Sequence, residues 1–165
     1  MFRSDAPAIA RRPGMIALGL MAGCLLSATI AHAQAPAQQA QAVSQQRLFP
    51  NDAGMVLIFI KPDKTADFEM VMGKLKEALA KSEKPERKQQ AAGWKVFKSP
   101  DPAGANTLYV FVIDPALKGA DYQVSNIIAE AFPAAEANDI LKKYADAFAQ
   151  GMNIVNLNMI QDLAK

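Results

Sequence analysis

Histidine and cysteine are almost absent from this 165-residue chain, which holds one of each, His32 and Cys24, both within the first 33 residues. Beyond Ala33 no Ser-His-Asp or Cys-His triad, no Cys/His zinc site and no thiol redox pair can be built. Nor can a disulfide framework form there, so stability must come from packing. Neither a phosphate-binding glycine loop nor a dinucleotide fingerprint occurs. The chemistry that remains is that of carboxylates, lysine, tyrosine, amides and one indole, Trp94. These absences predict a chain with no metal, no cofactor and no identifiable catalytic residue.

The first 33 residues have the pattern of an export signal. Arg3, Arg11 and Arg12 stand against Asp5, an apolar run follows over residues 15–30, and Ala31-His32-Ala33 offers small residues at the two positions a signal peptidase reads. Cleavage is expected after Ala33, with release to the periplasm or outside. The run includes Gly19, Gly23 and Ser27 and is shorter than the roughly 20 apolar residues of a spanning helix. Leu20-Met21-Ala22-Gly23-Cys24 resembles a lipobox, which would anchor the protein through Cys24, although Met21 replaces the usual leucine. Arg11-Arg12 resembles a twin-arginine signal, but Pro13-Gly14 follows where an apolar pair belongs.

The leader also distorts the charge balance. It holds three arginines and one aspartate of the chain's 18 basic and 16 acidic residues, leaving 15 of each beyond Ala33. No nucleic-acid or other polyanion partner is indicated. Residues 34–47 form a Gln/Ala-rich lead without apolar periodicity, expected to be flexible. Residues 48–165 suffice for one core and one domain.

Within that domain the segment types alternate. Residues 55–60 (MVLIFI) and 107–113 (TLYVFVI) read as strands that are apolar on both faces. Residues 94–99 and 152–160 alternate polar and apolar side chains, as edge strands do. Phe68, Val71, Met72, Leu75 and Leu79 recur at helical spacing behind a Thr65 cap. A helical stretch from Asp121 brings Val124, Ile127, Ile128 and Ala131 to one side. After Phe132-Pro133, a second long helix is marked by Ala137, Ile140, Leu141, Tyr144 and Phe148, with Gly151 in place for a left-handed cap. Residues 100–104 (PDPAG) read as a turn, and residues 82–92 as a charged loop.

The order β-α-β-β-α-β predicts an α+β, ferredoxin-like domain: a four-stranded antiparallel sheet with the two doubly apolar strands central and helices on one face. About six apolar side chains on the other face would then meet water. At roughly 1.5–3 kcal/mol for each fully buried side chain, covering them gains on the order of 10 kcal/mol, which predicts a sheet-to-sheet homodimer.

This element order, the long helix over residues 68–79, Gly93-Trp94 at the start of the second strand and the paired apolar strands resemble the dimeric α+β barrels, including the antibiotic-biosynthesis-monooxygenase-like domains. The resemblance covers residues 55–160. It implies that fold and pairing, and it spans cofactor-free oxygenases, isomerases, haem-degrading enzymes and proteins with no known activity. The haem-binding members use a histidine ligand, which is missing here beyond Ala33.

Five residues are candidates for ligand binding. Tyr122, Asn126 and Glu130 are spaced four apart, as on one helical stripe, where they would hydrogen-bond a ligand entering between helix and sheet, and this is also the pattern of a solvated helix face. Trp94 and Tyr109 could line an apolar pocket, or serve as core or interface residues. Between Lys81 and Lys98 six basic residues face two glutamates, an excess suited to an anionic ligand or membrane surface, and equally to a solvated loop. The leading expectation is a non-catalytic exported homodimer with a small apolar ligand in a cavity of each protomer. The alternatives are a cofactor-independent monooxygenase or isomerase using Trp94, Tyr122 and Asn126, and a lipid-anchored envelope protein.

Overall fold

The computed structural model describes residues 45–164. The segment expected to be an export signal, Cys24 and most of the Gln/Ala lead lie outside the described residues. The chain runs β1 (Ala53–Ile60), a 3-10 turn (Pro62–Lys64), α1 (Thr65–Lys81), α2 (Pro85–Gly93), β2 (Trp94–Ala103), β3 (Asn106–Ile113), α3 (Val124–Ala131), α4 (Ala134–Ala147) and β4 (Asn153–Leu157). The strands form one antiparallel sheet in the order β2-β3-β1-β4. This is an α+β domain compatible with a ferredoxin-like arrangement, and its central strands are the two doubly apolar runs. Among the described residues no helix is long and apolar enough to cross a membrane.

Strand alternation sorts the side chains into two layers. Val56, Ile58 and Ile60 of β1 and Tyr109, Phe111 and Ile113 of β3 are buried with Phe68, Val71, Leu75 and Leu79 of α1, Ile127 and Ile128 of α3, and Ile140 of α4. The opposite layer is only half-buried. There the register sets Met55 beside Val112 and Val155, Leu57 beside Val110, and Phe59 beside Leu108. Phe97, opposite Val110, is 51% exposed, and Leu157 is 38% exposed.

Several local expectations are corrected. Residues 100–103 are not a turn: β2 continues through them with a shift of register between Lys98 and Pro102. An edge strand tolerates proline because its outward amide has no partner to lose. The reversal is confined to Gly104-Ala105, where Gly104 adopts φ 65°, a conformation glycine reaches without strain. The charged loop is helix α2, with Arg87 and Gln90 buried. Thr65 is the first residue of α1 rather than its cap, and its hydroxyl donates back to the Pro62 carbonyl. Helix α4 stops at Ala147 because Phe148 turns extended and bridges to Ile60, while the Ala149 amide donates to the Phe59 carbonyl. Gly151 therefore caps nothing. Arg47, assigned to the flexible lead, is tied to the domain: its amide donates to Asp121 and its carbonyl accepts from the Tyr122 amide.

Gly54 shows how tightly the inner layer is filled. A Cβ added there would clash with the ring edge of fully buried Phe49. Gly54→Ala is expected to lower stability by about 1–3 kcal/mol through overpacking, measured by urea denaturation.

Candidate functional site

Three concavities bear on ligand binding, and each is built differently. The first is a polar cleft of about 660 Å³ between α2, the segment before α3, and α3, lined by Arg87, Asp121, Asn126 and Glu130 among others. Its hub is Asp121. The Asp121 carboxylate accepts from the amides of Arg47 and Gln123 and from Asn126 Nδ2, at 2.7–2.9 Å. The Asp121 carbonyl accepts from Arg87 Nη1 at 2.7 Å and Gln90 Nε2 at 3.0 Å. Arg87 also donates to Gln90 Oε1 and to Glu130 Oε2, and Lys84 pairs with Glu130 from the rim. Buried polar groups are as a rule partnered, and here the partners belong to the chain itself, except that the buried Arg87 Nε has no hydrogen-bond partner among the described residues. The cleft is a clamp fastening α2 to α3.

The Glu130 carboxyl is subject to opposing effects. Burial raises its pKa, but hydrogen bonds from Arg87 and Lys84 outweigh that and leave it below the usual glutamate range. A carboxyl with a depressed folded pKa adds stability that is fully present above its unfolded value of about 4.3 and is lost as pH falls through the lower folded value. Glu130→Gln is therefore expected to flatten the acid limb of the unfolding free energy plotted against pH.

The second concavity lies between the helices and the sheet, where the sequence placed a ligand cavity. It holds only about 10 Å³, enough for about one water and no organic ligand. Phe49, Phe111, Tyr122, Tyr144 and Trp94 fill the region. The buried Nη1 of Arg47 and Nε1 of Trp94, both on this lining, have no hydrogen-bond partner among the described residues. Desolvation holds the pKa of the Tyr144 hydroxyl well above the ordinary tyrosine value.

The third is an apolar groove of about 610 Å³ on the flank of the molecule. Leu75 and Leu79 of α1, Ala91 of α2, and Trp94 and Val96 of β2 line it, with Gly73 of α1 at its side. Trp94 is set by edge contacts with Phe111 at 5.5 Å and Tyr122 at 5.4 Å. Its indole thus divides the filled interior from the groove.

The five sequence candidates separate accordingly. Asn126 and Glu130 do share the polar cleft, but Tyr122 precedes α3 and is buried, its hydroxyl accepting from the Leu117 amide. The single helical stripe is thus corrected, because spacing by four aligns residues only inside one helix. Tyr109 is a core residue beneath Phe68. Its hydroxyl donates to Glu69 at 2.6 Å, which together with the Lys98 ammonium lowers the Glu69 pKa. Trp94 alone of the five lines the apolar groove. Missing from the sequence reading were Asp121 as hub, Arg87 as its buried partner, and Gly73. Among the described residues no cluster of three or more His, Cys, Asp or Glu side chains is placed to hold a metal ion.

In comparisons with known proteins, no family model matches the chain, no curated protein matches its sequence, and no solved structure matches its fold.

Proposed function

We propose that this chain is an exported homodimer of the dimeric α+β barrel kind that binds a small apolar molecule and performs no catalysis of its own. The observation that carries the binding reading is the groove walled by Trp94, whose size falls within the about 300–1,000 Å³ of ordinary ligand pockets. The ligand site thereby moves from between helix and sheet to the flank of α1. A ligand there leaves the outer sheet layer free for a second copy. Strands about 4.8 Å apart rising about 3.3 Å per residue give that layer roughly 500 Å² before side-chain relief is counted. This is the order of the about 800 Å² per partner in a standard interface. The oxygenase alternative draws less support, since Trp94 and Asn126 line different concavities and the Tyr122 hydroxyl is engaged.

Trp94 is the sole tryptophan and so reports on the groove directly. Titration with dodecan-1-ol, a neutral apolar probe, is expected to change its emission saturably, and native mass spectrometry is expected to return a two-subunit mass. No emission change up to the solubility limit of the probe defeats the binding reading. A single-subunit mass at micromolar concentration defeats the pairing.

A further inference from the structure

We infer that the α1–α2–β2 groove takes an anionic single-chain amphiphile, a long-chain carboxylate whose chain lies along α1 against Trp94 and whose head meets Lys76 and Lys88. This deepens the binding reading and rests on it.

Gly73 is the first support. It sits within α1, where glycine weakens a helix relative to alanine, yet nothing lies within 4 Å of the place a Cβ would occupy, and its φ is not in the left-handed region. Neither crowding nor backbone geometry calls for glycine there. What the missing side chain does is keep the groove open beside Met72 and Trp94.

Charge is the second. Lys76 of α1 and Lys88 of α2 are exposed and line the groove, and no acidic residue lines it with them. Neither lysine has an ion pair among the described residues, whereas Lys74, Lys81, Lys84 and Lys98 each pair with a glutamate. Two uncommitted ammonium groups beside an apolar trough suit a ligand with one negative end. The basic excess seen in the sequence over residues 81–98 thus divides into Lys81, Lys84, Arg87 and Lys98, which pair with glutamates, Lys95, which is exposed on β2 away from the groove lining, and Lys88, which lines the groove.

Shape is the third. The α1 residues on the lining run from Met72 to Ala80, about 12 Å at 1.5 Å per residue. An extended alkyl chain can lie along that length.

The test is titration of the purified protein, followed by Trp94 emission and by calorimetry, with dodecanoate, dodecan-1-ol and protonated dodecylamine below micelle-forming concentrations. Dodecanoate is expected to bind roughly 10-fold or more tightly than dodecan-1-ol, and dodecylamine more weakly than either. From octanoate to dodecanoate, affinity is expected to rise roughly fourfold per methylene. The double change Lys76→Gln and Lys88→Gln should bring dodecanoate down to the affinity of dodecan-1-ol while leaving the alcohol unaffected. Gly73→Leu should abolish binding of both. Gly73→Ala, expected to raise the melting temperature, controls for the helix itself. Equal affinity for acid and alcohol in the unaltered protein overturns the anionic inference and leaves the apolar reading standing. If neither probe perturbs Trp94, both fall. Undiminished dodecanoate binding in a folded Gly73→Leu protein places the amphiphile elsewhere and also overturns the inference.

Discussion

Leu57→Asp is expected to yield a folded protein that sediments as single subunits, with the dissociation constant of the proposed dimer raised at least about 1,000-fold. Leu57 lies near the middle of β1 in the half-buried outer layer, between Val110 of β3 and Asn153 of β4. In an isolated subunit a carboxylate there keeps contact with water, so the fold survives. In a two-fold stack of sheets the same residue from each copy approaches the centre, and two carboxylates lose their hydration with no cation to receive them. The effective penalty is several kcal/mol per buried ion, and it falls on the proposed dimer rather than on the isolated subunit. Sedimentation equilibrium gives the association state, and circular dichroism establishes that the subunit is folded. Dimers of unchanged affinity would show that the outer layer is not the contact.

Phe68→Ala is expected to lower the unfolding free energy by about 3–5 kcal/mol. Phe68 is fully buried, and its ring centroid lies 4.5 Å from that of Tyr109, 6.4 Å from Phe111, 6.1 Å from Tyr144 and 6.5 Å from Phe148. One side chain on α1 therefore holds β3, α4 and the segment after α4 in contact. Truncation removes those edge and stacking contacts and leaves a space that rings fixed on separate elements cannot close together. Urea denaturation measures the loss. Phe68→Leu, which keeps most of the volume, should cost clearly less, and a similar cost for both would show that volume is not what Phe68 supplies.

The sequence was readable where hydrophobic periodicity carries the structure. The doubly apolar runs of β1 and β3 marked central strands, and Phe68, Val71, Leu75 and Leu79 marked the inner face of α1. It was unreadable where hydrogen bonds replace apolar contacts. Helix α2 has no apolar stripe, since its inward side chains are Arg87 and Gln90, admitted to the interior by hydrogen bonds to the Asp121 carbonyl, to each other and, for Arg87, to Glu130. A periodicity test scores such a helix as loop. Punctuation misled at residues 100–103, where prolines that would break a central strand sit on an edge. Of the site, Trp94 stood out by its rarity and the basic excess by its density. Gly73 gave no signal, because a glycine inside a helix shows its effect only once the space beside it is known. Tyr122 was misplaced by assuming that the helix began before it.

The outermost strand on the β2 side has a consequence for solubility. Pro100 and Pro102 bring no backbone N–H to that margin, and Lys95 and Lys98 are exposed on the same strand. At the opposite margin β4 is only five residues long. A neighbouring chain approaching side-on finds a blunt rim that gives it little to zip onto. Open-ended ribbons of laterally joined sheets are thereby discouraged, even in a molecule with one half-exposed apolar sheet layer.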